Sequence, residues 1–409
     1  MKNSLFLLLL AASLAGTAQG DDWTQWRGPH ANGVSLEQNW NAKALRADNI
    51  LWTTELGFGH SAVAVQGEAV YTMGNRRISG IETDVIYCLD AGTGNIRWQH
   101  RYACSDGGED PGPGSTPVIN GDRLYTLSRE GHLLCLNAAT GHLRWSRHIV
   151  NDSLAKKHHW GFSTSPVIAG DKLLLNINKH GMAFNKNTGQ LLWNSQKTDC
   201  GYATPVLMKS HDRTLALINT KRKLQAINPD NGEIVWANSV GWGDADPVVL
   251  KNRLLFTGQT LRLYDTESAR PKLIWQNKDL SFQFQSGAVI NGHYYGFGAC
   301  DWDNRKQVFN CIDLSDGTLK WQQTFEMWGA STAAGDKLII QTGDGETIIA
   351  QASPKGFTPI SRARLIAMAD NGQRQNRRHC YCWTYPVLAN GRLYIRNSDG
   401  NLVCIAMQR

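Results

Sequence analysis

Cys88-Leu-Asp-Ala-Gly-Thr-Gly-Asn-Ile-Arg-Trp98 is a strand, a tight glycine turn and the start of a second strand that ends in an indole. The same frame returns at Cys135–Trp145, Ala183–Trp193, Ala226–Trp236 and Cys311–Trp321. Each copy has a small residue first, Asp or Asn third, Gly seventh and Trp eleventh. The terminal indoles Trp52, Trp98, Trp145, Trp193, Trp236, Trp275 and Trp321 are spaced by 46, 47, 48, 43, 39 and 46 residues. A period of this length with strand-like content predicts propeller blades of about four strands. A single blade cannot cover both of its faces, so neighbours must stack around a central channel. The indole is suited to wedge between blades, being large and apolar with one N–H to satisfy.

The internal order is clearest in the second unit. Ser115 to Ile119 is a first strand, Asn120-Gly121-Asp122 a hairpin turn and Arg123 to Ser128 a second strand. Leu133 to Asn137 is a third strand, Thr140-Gly141 turns the chain, and Leu143 to Trp145 begins a fourth. Pro117, Pro166, Pro205, Pro247 and Pro386 open first strands. Proline is tolerated at the start of an edge strand, which fits an innermost strand lining a channel. Counting units gives eight; the seventh ends near Ser361 without its Trp, and the last stops after Leu402 to Ala406 without a fourth strand. Asn49-Ile50-Leu51-Trp52 precedes the first unit and is expected to supply it. The expected fold is therefore all-β: an eight-bladed β-propeller with four-stranded blades, closed by an N-terminal strand so that no open edge is left to pair with other chains.

Residues 1–20 read as a signal peptide, with Lys2, an apolar core from Leu5 to Leu14 and the small-x-small site Ala18-Gln19-Gly20. The core is too short for a membrane span. Leu14-Ala15-Gly16 resembles a lipoprotein box, but Thr17 stands where the lipidated Cys belongs. A periplasmic or secreted protein that is not a lipoprotein is expected. Residues 21–48 form a strap carrying Trp23-Thr-Gln-Trp-Arg-Gly-Pro29, read first as a cap packed on the propeller with Arg27 stacked on an indole and, as the alternative, as a lid over a site. Residues 49–409 form one propeller domain. The formal charge of +7 favours solubility and anionic surfaces without signalling nucleic acid. Basic runs at Lys156-Lys157-His158-His159, at Lys221-Arg222-Lys223, and at Arg374 with Arg377-Arg378-His379 read as solvated loops. A monomer is expected.

The repeat resembles the tryptophan-docking motif of the quinoprotein alcohol dehydrogenase-like superfamily, and it covers nearly all of the chain after residue 20. The Trp-x-Gln-Trp-Arg-Gly-Pro opening resembles that of exported bacterial PQQ-like propeller proteins, and the repeat type resembles that of BamB-like propellers of outer-membrane protein assembly. The resemblance implies eight blades. It leaves function open, because the superfamily holds both enzymes and scaffolds. A pyrroloquinoline quinone (PQQ) dehydrogenase would, by resemblance, carry a vicinal Cys-Cys ring, a calcium and a catalytic Asp. No Cys-Cys pair is present, and there is no Cys-x-x-Cys-His for haem.

Cys88, Cys135, Cys311 and Cys404 fill the small slot of the repeat and read as buried packing residues. Cys104, Cys200, Cys300, Cys380 and Cys382 fall outside it, and spacing assigns no disulfide among them. His379, Cys380 and Cys382 are soft-ligand types, but neighbouring strand residues point to opposite faces, so no metal is assigned. Asp301-Trp302-Asp303-Asn304 lacks the later Gly and Glu of a calcium loop and reads as a polar hairpin.

Aromatic and ionisable residues recur just before the inner strands, in loops that converge on one mouth of the channel. Phe58, His60, His159, Trp160, Tyr202, Trp242, Phe284, Trp328, Tyr381 and Trp383, with Asp244 and Asp246 among them, would form a concave amphipathic pocket. Phe282 shares this placement. Such faces suit a planar cofactor or sugar rings. The first expectation is an exported binding or scaffold module of the cell envelope whose partner is a protein, a glycan or a small ring. The alternative is a PQQ- and calcium-dependent dehydrogenase of alcohols or sugars, with Asp244 or Asp246 as the base. A glycosidase using both carboxylates ranks last, because the two lie too close together.

Overall fold

The computed structural model describes residues 21–408, apart from 108–110, 199–200, 211–212, 221, 269, 283, 302–305 and 368–381. The expected leader, Tyr381, His379, Cys380, Cys200 and the basic cluster at 374–379 lie outside the described residues, as do Lys221 and residues 302–304 of the polar hairpin.

Eight blades of four antiparallel strands follow one another around a ring, with the strands in chain order in all but the last, and blade seven carries one added strand. In blade two the strands are Val118–Asn120, Arg123–Leu127, His132–Asn137 and Leu143–His148. The innermost strands Val118–Asn120, Val167–Ala169, Val206–Ser210, Val248–Leu250 and Val387–Ala389 each begin directly after the expected proline. Blade eight takes its outer strand, Ile50–Glu55, from the N-terminal side of the chain, paired antiparallel to Asn401–Ala406. The ring is closed as the sequence predicts.

The repeat frame has a direct physical reading. Position three caps the turn: Asp90 Oδ1 accepts from the N–H groups of Gly92 and Thr93, and Asn185 Oδ1 accepts from those of Asn187 and Thr188. Position eleven lies opposite the small residue, as in Cys88↔Trp98 and Ala226↔Trp236. The indole then lies on the turn glycine of the following blade. A Cβ on Gly94, Gly141, Gly189, Gly232 or Gly317 would meet the ring of Trp52, Trp98, Trp145, Trp193 or Trp275 at 2.5–2.7 Å. These glycines also have φ of +69° to +77°, a region unfavourable to residues with a Cβ. Each of these indoles donates its N–H into the next blade, for example Trp98 Nε1 to Ala138 O at 2.9 Å and Trp193 Nε1 to Pro229 O at 2.8 Å. Cys88, Cys135, Cys311 and Cys404 are buried beside these docks, and burial pushes the Cys88 thiol up to about 11.

The junction between blades seven and eight breaks the pattern. Ser361 occupies the tryptophan position, opposite Ile349. Its hydroxyl donates to Ala42 O at 2.6 Å, and the strap segment around the short 3-10 turn Ala42–Ala44 fills the gap. Trp40, Ala44 and Leu45 are buried there against Ile339, Leu393 and Met407. The strap thus supplies an indole where the repeat lacks one.

The rest of the strap runs along the inner strands at the hairpin-turn end of the channel. Trp23 bridges Val65 of blade one, and Thr24 O accepts from Ile119 N of blade two. Val34–Ser35 adds a parallel fifth strand to blade seven, and Ser35 Oγ donates to Leu388 O of blade eight. The cap therefore sits inside the ring.

Gly232→Val should lower the unfolding free energy by about 2–4 kcal/mol, from the clash with Trp193 together with strain at positive φ. Gly170→Ala, at φ +64° with open space around the added Cβ, should lose only about 1–2 kcal/mol. Urea unfolding of the two variants measures the difference; equal losses would contradict the docking role.

Candidate functional site

The loops leading into the inner strands meet at the end of the channel opposite the hairpin turns, around a cavity of about 300 Å³. All eight blades contribute to its lining. Of the residues singled out in the sequence, His60, Trp160, Tyr202, Phe284, Trp328 and Trp383 line the cavity with Asp244 and Asp246. Phe58 does not: its backbone bridges Asn75, and it lines a separate cleft with Arg76 and Arg101. His159 is also outside, turned edge-on to Trp160 with ring centroids 5.5 Å apart. Trp242 stands beside the cavity, edge-on to Phe284 at 6.1 Å. Phe282 is wholly buried against Tyr294.

Several lining residues carry no signal in the repeat. Trp26 comes from the strap and packs edge-on to Tyr385 with centroids 5.0 Å apart. Arg129 follows the second strand of blade two, and Gln285, Thr384 and Tyr385 precede inner strands. The convergence of loops before the inner strands could have found the last three. Nothing in the sequence spacing puts Trp26 in the channel.

Trp26 acts as a partition. With Thr204 and Asp246 it lines both the mouth cavity and a second cavity of about 710 Å³, which lies between strap residues 25–31 and blades three and four. Arg27 is buried beside it with φ +59° and donates from Nη2 to Gly287 O at 2.5 Å. Its guanidinium lies 6.0 Å from the Tyr385 ring centre, so its stacking partner is a phenol where an indole was expected.

A belt of hydrogen bonds joins the inner strands just below the cavity. Ala62 N donates to Thr116 Oγ1, Thr116 N to Ser165 Oγ, and Ser165 N to Thr204 Oγ1, at 3.0–3.2 Å. The next link is the carboxylate: Thr204 N donates to Asp246 Oδ1 at 2.7 Å. Asp246 Oδ2 accepts from Trp26 Nε1 at 2.7 Å. Two residues away, Asp244 Oδ1 accepts from Tyr202 N at 3.1 Å. Across the closing junction Arg396, fully buried, donates to Ser61 O, Thr72 Oγ1, Met73 O and Gly57 O of blade one. Burial raises the Asp246 carboxyl, while the Arg27 charge and the N–H groups of Trp26 and Thr204 pull it back down.

The side chains around Asp246 do not make a calcium site. Calcium takes about 6–8 oxygen ligands, whereas both oxygens of Asp246 already accept short hydrogen bonds from protein. Among the described residues no three His, Cys, Asp or Glu side chains are grouped to hold a metal ion. No redox step follows from this geometry. No helix among the described residues is long and apolar enough to cross a membrane.

Asp246→Asn should cost about 2–3 kcal/mol in denaturant unfolding, because the amide nitrogen would face an N–H donor whichever way it turns. Unchanged stability would show that the carboxylate is not a structural link.

The family model described as outer membrane protein assembly factor BamB matches residues 82–297. Outer membrane protein assembly factor BamB of Yersinia pestis is 25% identical over 353 residues, covering 81% of this chain and 85% of that protein. BamB from Moraxella catarrhalis superposes with a TM-score of 0.61 at 18% identity, over 87% of this chain and 96% of that one. Quinohemoprotein alcohol dehydrogenase from Comamonas testosteroni superposes with a TM-score of 0.72 at 11% identity, over 95% of this chain and 81% of that one, a likeness of fold alone. The family match spans more than half of the sequence and includes four of the five quoted copies of the docking repeat, and the chain belongs to the BamB family of PQQ-like repeat β-propellers.

Proposed function

We propose that this chain is a non-catalytic assembly scaffold of the cell envelope that works in the periplasm on outer-membrane proteins. The observation that carries this is the likeness to an outer membrane protein assembly factor along most of both chains. The engagement of Asp244 and Asp246 in backbone links between blades supports it. Each oxygen of Asp246 accepts a hydrogen bond within the protein, which holds the carboxylate as a link between the strap and two blades. The channel, which would otherwise run through the ring, is occupied by the strap. A rigid plugged ring offers its loops and outer surfaces to a partner, a use of the propeller that needs no turnover.

Deleting the gene in the producing bacterium should lower the amount of folded β-barrel proteins in the outer membrane several-fold, as read by heat-modifiable migration on gels. Re-expression of the chain should restore it. Unchanged barrel proteins, with the chain present in the periplasmic fraction of the parent, would overturn the proposal.

A further inference from the structure

The mouth cavity holds unmet hydrogen-bonding capacity of a particular kind. Gln285 and Thr384 are 5% and 4% exposed, both line the cavity, and among the described residues neither Gln285 Oε1 nor Thr384 Oγ1 has a hydrogen-bond partner. The indole N–H of Trp383, on the same wall, is also without one among the described residues. A buried polar atom left unpaired costs about 1–3 kcal/mol, so a ligand that satisfies these groups recovers that loss. The set contains an acceptor, a donor and a hydroxyl that can be either. Reversing the Gln285 amide still leaves one acceptor and two donors.

The surrounding surface is aromatic. Trp328 and Trp383 have ring centroids 5.5 Å apart and planes tilted by 53°, and Phe284 meets Trp383 edge-on at 5.8 Å. Trp160 is 39% exposed and lines the same cavity, leaving part of its ring open to solvent. Among the described lining residues the charge does not favour an anionic ligand, since Asp244 and Asp246 stand against the guanidinium of Arg129. A purely apolar ligand would leave Gln285 and Thr384 unpaired. A pyranose ring meets both demands. Its C–H face lies on an aromatic ring, and its hydroxyls donate and accept. The volume of about 300 Å³ is at the small end of ligand pockets, roughly 300–1,000 Å³, and suits a mono- or disaccharide unit.

We propose that the channel mouth is a binding site for a neutral saccharide, held between Trp160 and the Trp328–Trp383 wall and hydrogen-bonded by Gln285 and Thr384. This goes beyond the assembly role and does not rest on it, so each can fail alone.

The test is a titration of the purified chain, lacking residues 1–20, with maltose, cellobiose and N,N′-diacetylchitobiose to millimolar concentration, read by tryptophan fluorescence and saturation-transfer NMR. At least one disaccharide should give a saturable change. Trp160→Ala, at an exposed position where folding is little affected, should weaken that binding about tenfold, equivalent to ~1.4 kcal/mol. Gln285→Leu should weaken it similarly, with thermal melting as the check on folding. The absence of any saturable response to all three sugars would overturn the proposal. So would binding of undiminished strength in Trp160→Ala.

Discussion

A four-stranded blade has two apolar faces and can cover neither alone, so everything here depends on how one blade grips the next. The grip is made at two radii. At the outside, an indole lies on the turn glycine of the following blade and donates its N–H to a carbonyl there, as Trp52 does to Ala91 O. At the inside, backbone N–H groups of one blade reach side-chain oxygens of the next, ending at Asp246. The two contacts fix tilt and spacing together. Closure by Ile50–Glu55 then leaves no blade with an unpaired face.

The strap shows how the ring tolerates a missing part. Blade seven has Ser361 in place of the docking indole, and Trp40 with Leu45 fills the space from outside the repeat. The same strap carries Trp26 and Arg27 into the channel. Trp26 ties to Asp246 of blade five, and Arg27 to Gly287 of blade six. A short N-terminal segment thus repairs one junction, divides the channel and forms part of the wall of the mouth cavity. Asp246 is consequently held on both sides, by Thr204 and by Trp26, in a setting where burial alone would favour its protonation.

The fold was almost wholly legible in the sequence because its determinants are local and repeated. A capping Asp or Asn, a glycine at positive φ and an indole at fixed spacing are demands of one turn, and they recur because each blade makes the same contact. The site was legible in part. His60, Trp160, Tyr202, Phe284, Trp328 and Trp383 could be gathered because they share one place in the repeat. Phe58 and His159 share that place and still point elsewhere, since the loop conformation before each inner strand is set by non-repeated neighbours. Trp26 could not be placed, because its contact with Asp246 joins residues 220 positions apart. The carboxylates read as candidate chemistry from their place just before an inner strand. Their hydrogen bonds to Tyr202 and Thr204 make them part of the ring's framework.

We propose that this propeller uses its inner carboxylates to hold blades together and not to hold a quinone cofactor. The most direct test is thermal melting of the purified chain, lacking residues 1–20, with PQQ and calcium in excess, with quinone absorbance followed in parallel. A ligand of the folded state present at about 100 times its dissociation constant would add ~2.7 kcal/mol of stability. We predict no rise in Tm and no saturable change in the quinone spectrum. A clear rise accompanied by a saturable spectral change would mean that the propeller holds the quinone.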